Sequence, residues 1–311
     1  MKLEDKEIII KLENLIGKKI PLCKKSVWNL FGVIYKGKSV VKLGLYNLDI
    51  KEIPKYIGNL RNLELLNLGN NKLEQLPNSI GNLENLKNFN LTNNNLMELP
   101  KSIGKLKSLK YLALNSNKLK TIPNSIGDLK KLEELWTEDS KITNLPESFG
   151  DLESLKYLNL NRNKLHKIPE SIFRLENLQE LYLIKTSITE VSQSITDLKS
   201  LSSIYLDKNI LSDFPREILD LQQLKVLSIR NCEITDILES IKELKSLEIF
   251  DFSYNKISNL PKSFSDLPHL KIIKCGGNQL TANANKILEI LKNSGVAIDK
   301  GIVRNRSRSI K

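Results

Sequence analysis

Histidine, cysteine and long apolar runs are nearly absent from this chain, and each shortage removes a class of function. Only His166 and His269 occur among 311 residues, far apart in the sequence. No nucleophile, base or metal set can be assembled around them, so both read as turn residues, and the chain is expected to be non-enzymatic, with no cofactor and no metal. Cys23, Cys232 and Cys275 are an odd set without the paired spacings of a disulfide framework, and read as small buried hydrophobes. No apolar run is long enough to span a membrane. The first residues, MKLEDKEIIIKLENLIG, lack the apolar core and cleavage site of a secretory signal. A cytoplasmic location follows as the expectation.

Leucine and asparagine are what the chain has in abundance, and they recur with a period of 23 residues. The same apolar position returns at Val40, Leu63, Leu86, Leu109, Leu132, Leu155, Leu178, Leu201, Leu224, Leu247 and Leu270 without insertion or deletion. Eleven units in step define a solenoid in which each unit packs on its neighbours, and one elongated domain is expected. The formal charge of +12 sits at the ends. Residues 1–39 carry nine Lys against four acids, and residues 299–311 carry five Lys or Arg against Asp299. The array between them, with 34 basic and 31 acidic residues, is left at +3, which argues against a charged groove along its whole length.

Within each unit, LxxLxLxxNxL supplies a short strand whose alternate leucines point inward. The following Asn stands where the chain turns away, and can bond the backbone of adjacent turns with both its carbonyl and its amide. It occurs at Asn71, Asn94, Asn117, Asn163, Asn209, Asn255 and Asn278, and is replaced by Leu48, Ser140, Thr186 and Cys232. The second half, LPxSIGxLxx, opens with a proline and reads as a short helical turn ended by Gly. Ser192 and Leu238 take the proline's place in two units, where looser turns are expected. Four segments result: an amino-terminal cap over 1–39, repeats over 40–280, a capping helix over 281–295, and a basic flexible tail over 296–311. The cap combines a helix carrying Ile8, Leu12, Leu15 and Ile16 with a hairpin turning at Lys36-Gly37-Lys38, and Trp28 and Phe31 belong to its core.

The unit LxxLxLxxNxLxxLPxSIGxLxx resembles the 23-residue leucine-rich repeat of intracellular proteins such as Ras-pathway scaffolds, plant Ras-group-related proteins and many prokaryotic repeat proteins. The resemblance implies an α/β fold: a curved, right-handed horseshoe solenoid with a parallel concave sheet and short helical or extended convex segments. It also implies a scaffold or interaction module that captures a protein partner on the concave face. The partner's identity is open; a small GTPase or another signalling protein follows by analogy only.

Period two sends the residues between the strand leucines to that face. Aromatics and acids concentrate there in repeats four to eight, which gives a candidate partner-binding patch of Tyr111, Glu134, Trp136, Glu138, Tyr157, Arg162, Glu180, Tyr182, Ile184 and Tyr205. Aromatic cross-strand stacking that serves the sheet alone is the competing reading. The acids disfavour nucleic acid on this face and suit a basic partner surface opposite Glu134, Glu138 and Glu180. A second function class stays open, in which Lys300, Arg304, Arg306, Arg308 and Lys311 of the tail grip RNA or an anionic membrane. A monomer is favoured.

Overall fold

A computed structural model describes residues 4–24 and 31–301. Trp28 and the tail residues Arg304, Arg306, Arg308 and Lys311 lie outside the described residues. Where one elongated domain is expected, the chain divides into two compact units, Met1–Leu165 with Pro169–Leu178, and His166–Ile168 with Gln179–Lys311. Coils that touch only their neighbours give a long array no single centre.

The first unit opens with helix α1, Asp5–Ile16, which buries Ile8, Ile9 and Leu12 and ends at Gly17 in the left-handed conformation (φ 66°). Asp5 accepts the Val40 N–H at 2.8 Å, tying the helix to the first repeat strand. Strands β1 (Phe31–Lys36) and β2 (Ser39–Leu45) form an antiparallel hairpin turning at Gly37, φ 62°. Strands β3 (Leu65–Asn67), β4 (Asn88–Asn90), β5 (Tyr111–Ala113), β6 (Glu134–Trp136) and β7 (Tyr157–Asn159) follow, one per repeat. From β2 onward they pair in parallel, each residue opposite the one 23 positions on.

The second unit repeats the pattern with β8 (Glu180–Tyr182), β9 (Ser203–Tyr205), β10 (Val226–Ser228), β11 (Ile249–Asp251) and β12 (Ile272–Lys274). Helix α2, Ala282–Asn293, starts at Thr281, whose hydroxyl accepts the Ala284 N–H at 3.3 Å, and buries Ala284, Leu288 and Leu291. The tail begins later than the expected residue 296. Ala297–Asp299 form strand β13, paired parallel with β12, because the outer edge of β12 offers unsatisfied backbone groups that the chain after α2 reaches.

Both units are parallel repeat solenoids of the expected class, with a leucine layer between sheet and turns. In the Leu63 coil, Leu63, Leu66, Leu68, Leu73, Ile80 and Leu83 are fully buried. Each such side chain contributes about 1.5–3 kcal/mol by leaving water. The asparagines form the expected ladder, for which Asn163 serves as the pattern. Its Oδ1 accepts the Ile142 N–H at 3.0 Å, and its Nδ2 donates to Thr137 O and Leu160 O at 2.9 Å each. The substitutes retain part of this network. Thr186 donates to Leu183 O at 2.8 Å and Cys232 Sγ reaches Leu206 O at 3.2 Å, whereas the buried Ser140 hydroxyl has no partner.

Each proline turn runs into a five-residue 3-10 helix, as at Asn78–Asn82 behind Pro77. Gly81 stands inside that helix and does not end it. A Cβ there would lie 2.5 Å from Ser102 O, so glycine serves the close approach of adjacent coils. Ser192 (φ −70°, ψ 148°) and Leu238 (φ −76°, ψ 147°) hold the same backbone as Pro77 (φ −68°, ψ 145°) and head the same helix, so these turns keep the proline geometry.

Candidate functional site on the solvent face of the sheet

Strand alternation decides what reaches solvent. The middle residues Leu112, Leu135, Leu158, Leu181 and Ile204 are fully buried, and their flanking neighbours form the outer face. That face is less open than the pattern predicts. Asn67, Asn90 and Asn159 are 2–6% exposed, because each folds its Oδ1 back onto the backbone N–H two residues on, at 2.9 Å. In those coils the Asn column is thereby closed, and the row beside it carries what reaches solvent, as at Asn88 and Tyr157.

In the first unit, Tyr111, Glu134 and Tyr157 occupy one row across β5, β6 and β7, with Trp136 in the row beside them. All four are half-buried. Trp136 Nε1 donates to Glu134 Oε2 at 3.1 Å. Burial pushes the Tyr111 hydroxyl well above its ordinary range, with the Glu134 charge adding to it. Glu138 holds exposed Arg162 at 3.3 Å, and Glu133 is clamped by Lys110 at 2.7 Å and Lys156 at 3.2 Å. The predicted first-unit residues are thus brought together. Glu134 and Glu138, expected to face a basic partner, already have partners within the chain.

In the second unit, Tyr182 and Tyr205 stand opposite each other on β8 and β9, with ring centroids 4.5 Å apart and planes within 4°. Tyr182 donates its hydroxyl to Glu180. Burial first, and the Glu180 charge with it, pushes both phenols above their ordinary range. Ile184 is half-buried in the same coil. Asp207 accepts the Ser228 hydroxyl and, at 3.0 Å, the Arg230 N–H; burial raises its pKa against those two bonds.

Sequence reasoning missed residues that extend this face. Val226, Ile249 and Ile272 continue the Glu180 row through β10, β11 and β12, all half-buried and apolar. The signal was period two carried past the last aromatic. Lys208, Arg230 and Tyr254 at the strand ends were also missed. Arg230 lies 4.6 Å from the Tyr254 ring centroid, and Tyr254 is 50% exposed.

No group of three or more His, Cys, Asp and Glu that could hold a metal occurs among the described residues. A cavity of about 820 Å³ opens on the proline-turn side of the second unit, lined by Glu190, Asp213, Arg216, Glu217 and Asp236, with no histidine or cysteine at hand. No helix of the described residues is long and apolar enough to cross a membrane.

Comparison with known proteins agrees with this architecture. A profile described as a leucine-rich repeat region matches residues 41–110, 79–163 and 144–228, and a leucine rich repeat profile matches 222–280. A leucine-rich repeat protein of Leptospira interrogans is 30% identical, with 83% of each chain covered and a TM-score of 0.54. An internalin of Listeria monocytogenes is 22% identical over 81% of this chain and 71% of its own, with a TM-score of 0.70. The Arabidopsis receptor kinase HAESA, solved with the peptide hormone IDA and the co-receptor SERK1, is 26% identical over 83% of this chain and 45% of its own, with a TM-score of 0.67. No curated protein matches.

Proposed function

The chain belongs to the leucine-rich repeat family, whose fold supports protein–protein interaction, and from that premise we propose that it is a non-catalytic module capturing a protein partner on the solvent face of its sheet. The observation that carries the reading is the stacked, half-exposed Tyr182–Tyr205 pair, with Val226, Ile249 and Ile272 in the neighbouring row, on a face that α2, which packs against Lys262–Asp266 and β13, leaves open. Aromatic anchors beside apolar area and charged margins are the composition of an interface centre. The first unit offers a second anchor in Trp136 and Tyr157. HAESA, of the same fold, is solved with a peptide hormone, which supports a peptide or protein ligand.

The finer partner class rests on the resemblance to Ras-pathway scaffolds: we favour a signalling protein, with a small GTPase as the first instance to try, and a cytosolic site of action where Cys23, Cys232 and Cys275 stay reduced. The test is affinity capture from native lysate with the full chain, the Tyr182→Ala/Tyr205→Ala variant and the Trp136→Ala/Tyr157→Ala variant, each checked for a native melting transition. Loss of the same captured protein in either folded variant supports the reading; identical capture by all three overturns it. A panel of purified GTPases, loaded with GDP or a GTP analogue, decides the narrower class.

A further inference from the structure

Eleven residues, one per coil immediately before the ladder position, hold a left-handed backbone. In ten of them φ is 54–60°, and in Gly277 it is 76°. Asn47, Asn70, Asn93, Asn231 and Gly277 suit that conformation, since Asn and Gly enter it at little cost. Lys185 (φ 58°) and Lys208 (φ 57°), in consecutive coils of the second unit, do not. A side chain that gains nothing locally from this backbone costs roughly 1 kcal/mol there.

Some exposed lysines pair with a carboxylate 23 residues away, as Lys72 with Asp49 at 2.8 Å, Lys87 with Glu64 at 2.9 Å, Lys256 with Glu233 at 3.1 Å and Lys271 with Glu248 at 2.5 Å, while others, such as Lys101, Lys118, Lys141 and Lys164, pair with none among the described residues. Lys185, Lys208 and Arg230 are all exposed, and none forms an ion pair among the described residues. The three belong to successive coils joined through this segment by Lys185 N–H to Asp207 O and Lys208 N–H to Arg230 O, both 2.8 Å. Coils spaced about 4.8 Å apart bring like charges close together. Asp207, which accepts the Ser228 hydroxyl and the Arg230 N–H, offsets part of this charge at Arg230 without forming an ion pair with any of the three. The Arg230 guanidinium is held ready over the Tyr254 ring.

Three exposed cations on successive coils, none of them ion-paired among the described residues, therefore stand at the strand ends beside the Tyr182–Tyr205 stack. We propose that Lys185, Lys208 and Arg230 form a binding rim for an extended acidic peptide segment, whose carboxylates pair with the three cations while an apolar side chain rests on the Tyr182–Tyr205 floor. This deepens the sheet-face reading and rests on it. Alternate side chains of an extended peptide lie about 6.8 Å apart on one side, a spacing that flexible Lys and Arg heads on neighbouring coils can follow. Arg230 can take a carboxylate in bidentate fashion. A nucleic acid suits the surface less well. The two tyrosine rings stack on each other, which takes one face of each ring away from base stacking.

The test uses the full chain and a fluorescein-labelled synthetic peptide with Glu at alternate positions around a central Leu, followed by fluorescence anisotropy. Versions with Lys or Gln in place of Glu serve as controls. The expected result is binding of the Glu peptide alone, weakening as salt rises from about 50 mM to about 300 mM. Binding should weaken about tenfold or more in K185E/K208E/R230E and hold in K101E/K105E/K120E, which carries the same charge change elsewhere. No binding of the Glu peptide by the wild-type chain, or equal binding by the folded rim variant, overturns the proposal. If Tyr182→Ala/Tyr205→Ala loses lysate capture while the rim variant keeps both capture and peptide, the sheet-face reading stands and this one falls. Rim-dependent retention of RNA or phosphatidylserine vesicles, without peptide binding, also overturns it.

Discussion

In the first unit, Glu138 reaches Arg162, Glu133 is held between Lys110 and Lys156, and Glu134 accepts from Trp136, so the charges on and around the face are settled within the chain. In the second, the same coil geometry carries a tyrosine stack, an apolar row and a cationic rim without ion pairs. Both units share their leucine layer and ladder, so the difference lies wholly in residues the fold does not need. A surface whose charges already pair within the chain gains little from a partner, whereas exposed cations without an ion pair can still take one.

The comparison breaks first if the cores differ. Leu112→Ala in the first unit and Leu227→Ala in the second remove equivalent fully buried side chains. Each is expected to cost about 3 kcal/mol in denaturant unfolding followed by circular dichroism. A cost below about 1 kcal/mol at either position would mean that the two units do not share a core of equal quality.

Next in size is the ladder. Asn163→Ala strands the buried Ile142 N–H and the Thr137 and Leu160 carbonyls, for an expected loss of about 2 kcal/mol or more. Cys232→Ala should cost about 1 kcal/mol, since Asn255 still receives the Cys232 N–H at 2.9 Å. Burial pushes the Cys232 thiol up to about 12 and Cys275 up to about 11. Both folded-state values are raised, so their contribution to stability is intact below the unfolded thiol range near 9 and is lost as pH climbs toward those values. Thiol-specific reagents at pH 8 should therefore label Cys23 first and reach the other two at the unfolding rate.

The stack comes third. A double-mutant cycle on Tyr182→Phe, Tyr205→Phe and the two alanine variants should give a ring–ring coupling of about 1 kcal/mol, independent of the Glu180 bond. Trp136 and Tyr157, on adjacent strands in different rows, should couple less. Equal couplings would erase the distinction between the two faces.

How much of this was legible in the sequence follows from what sets each feature. The 23-residue step and the inward apolar positions are repeated eleven times and the ladder Asn seven times, so the pattern is averaged over many copies and could be read directly. The role of Gly81 was misread, because its cause is Ser102 O one coil away and no local rule shows it. Strand β13 was missed because a short AID run acquires its identity only from the β12 edge. The face residues were found by alternation. Their state was not, since the bond from Glu138 to Arg162 and the lack of one at Lys208 depend on side-chain reach between coils.

The smallest expected effect is the most discriminating. Lys208→Asn places at φ 57° a residue that accepts the left-handed backbone, and removes one of three neighbouring positive charges. If the lysine serves only the fold, the change should be neutral or costly. If it is held against local preference, the variant should be more stable, by about 0.5 kcal/mol, and Lys185→Asn likewise, with the pair adding to about 1 kcal/mol. The mirror change in the first unit, Asn93→Lys, should cost a similar amount, because Asn93 (φ 56°) already suits its backbone and loses a side-chain bond to Asn70. Denaturant midpoints of the four variants at low and high salt separate backbone strain, which salt leaves alone, from charge repulsion, which salt screens. A destabilised Lys208→Asn would show that the rim is tied into the fold, and the contrast between the two faces would lose its basis.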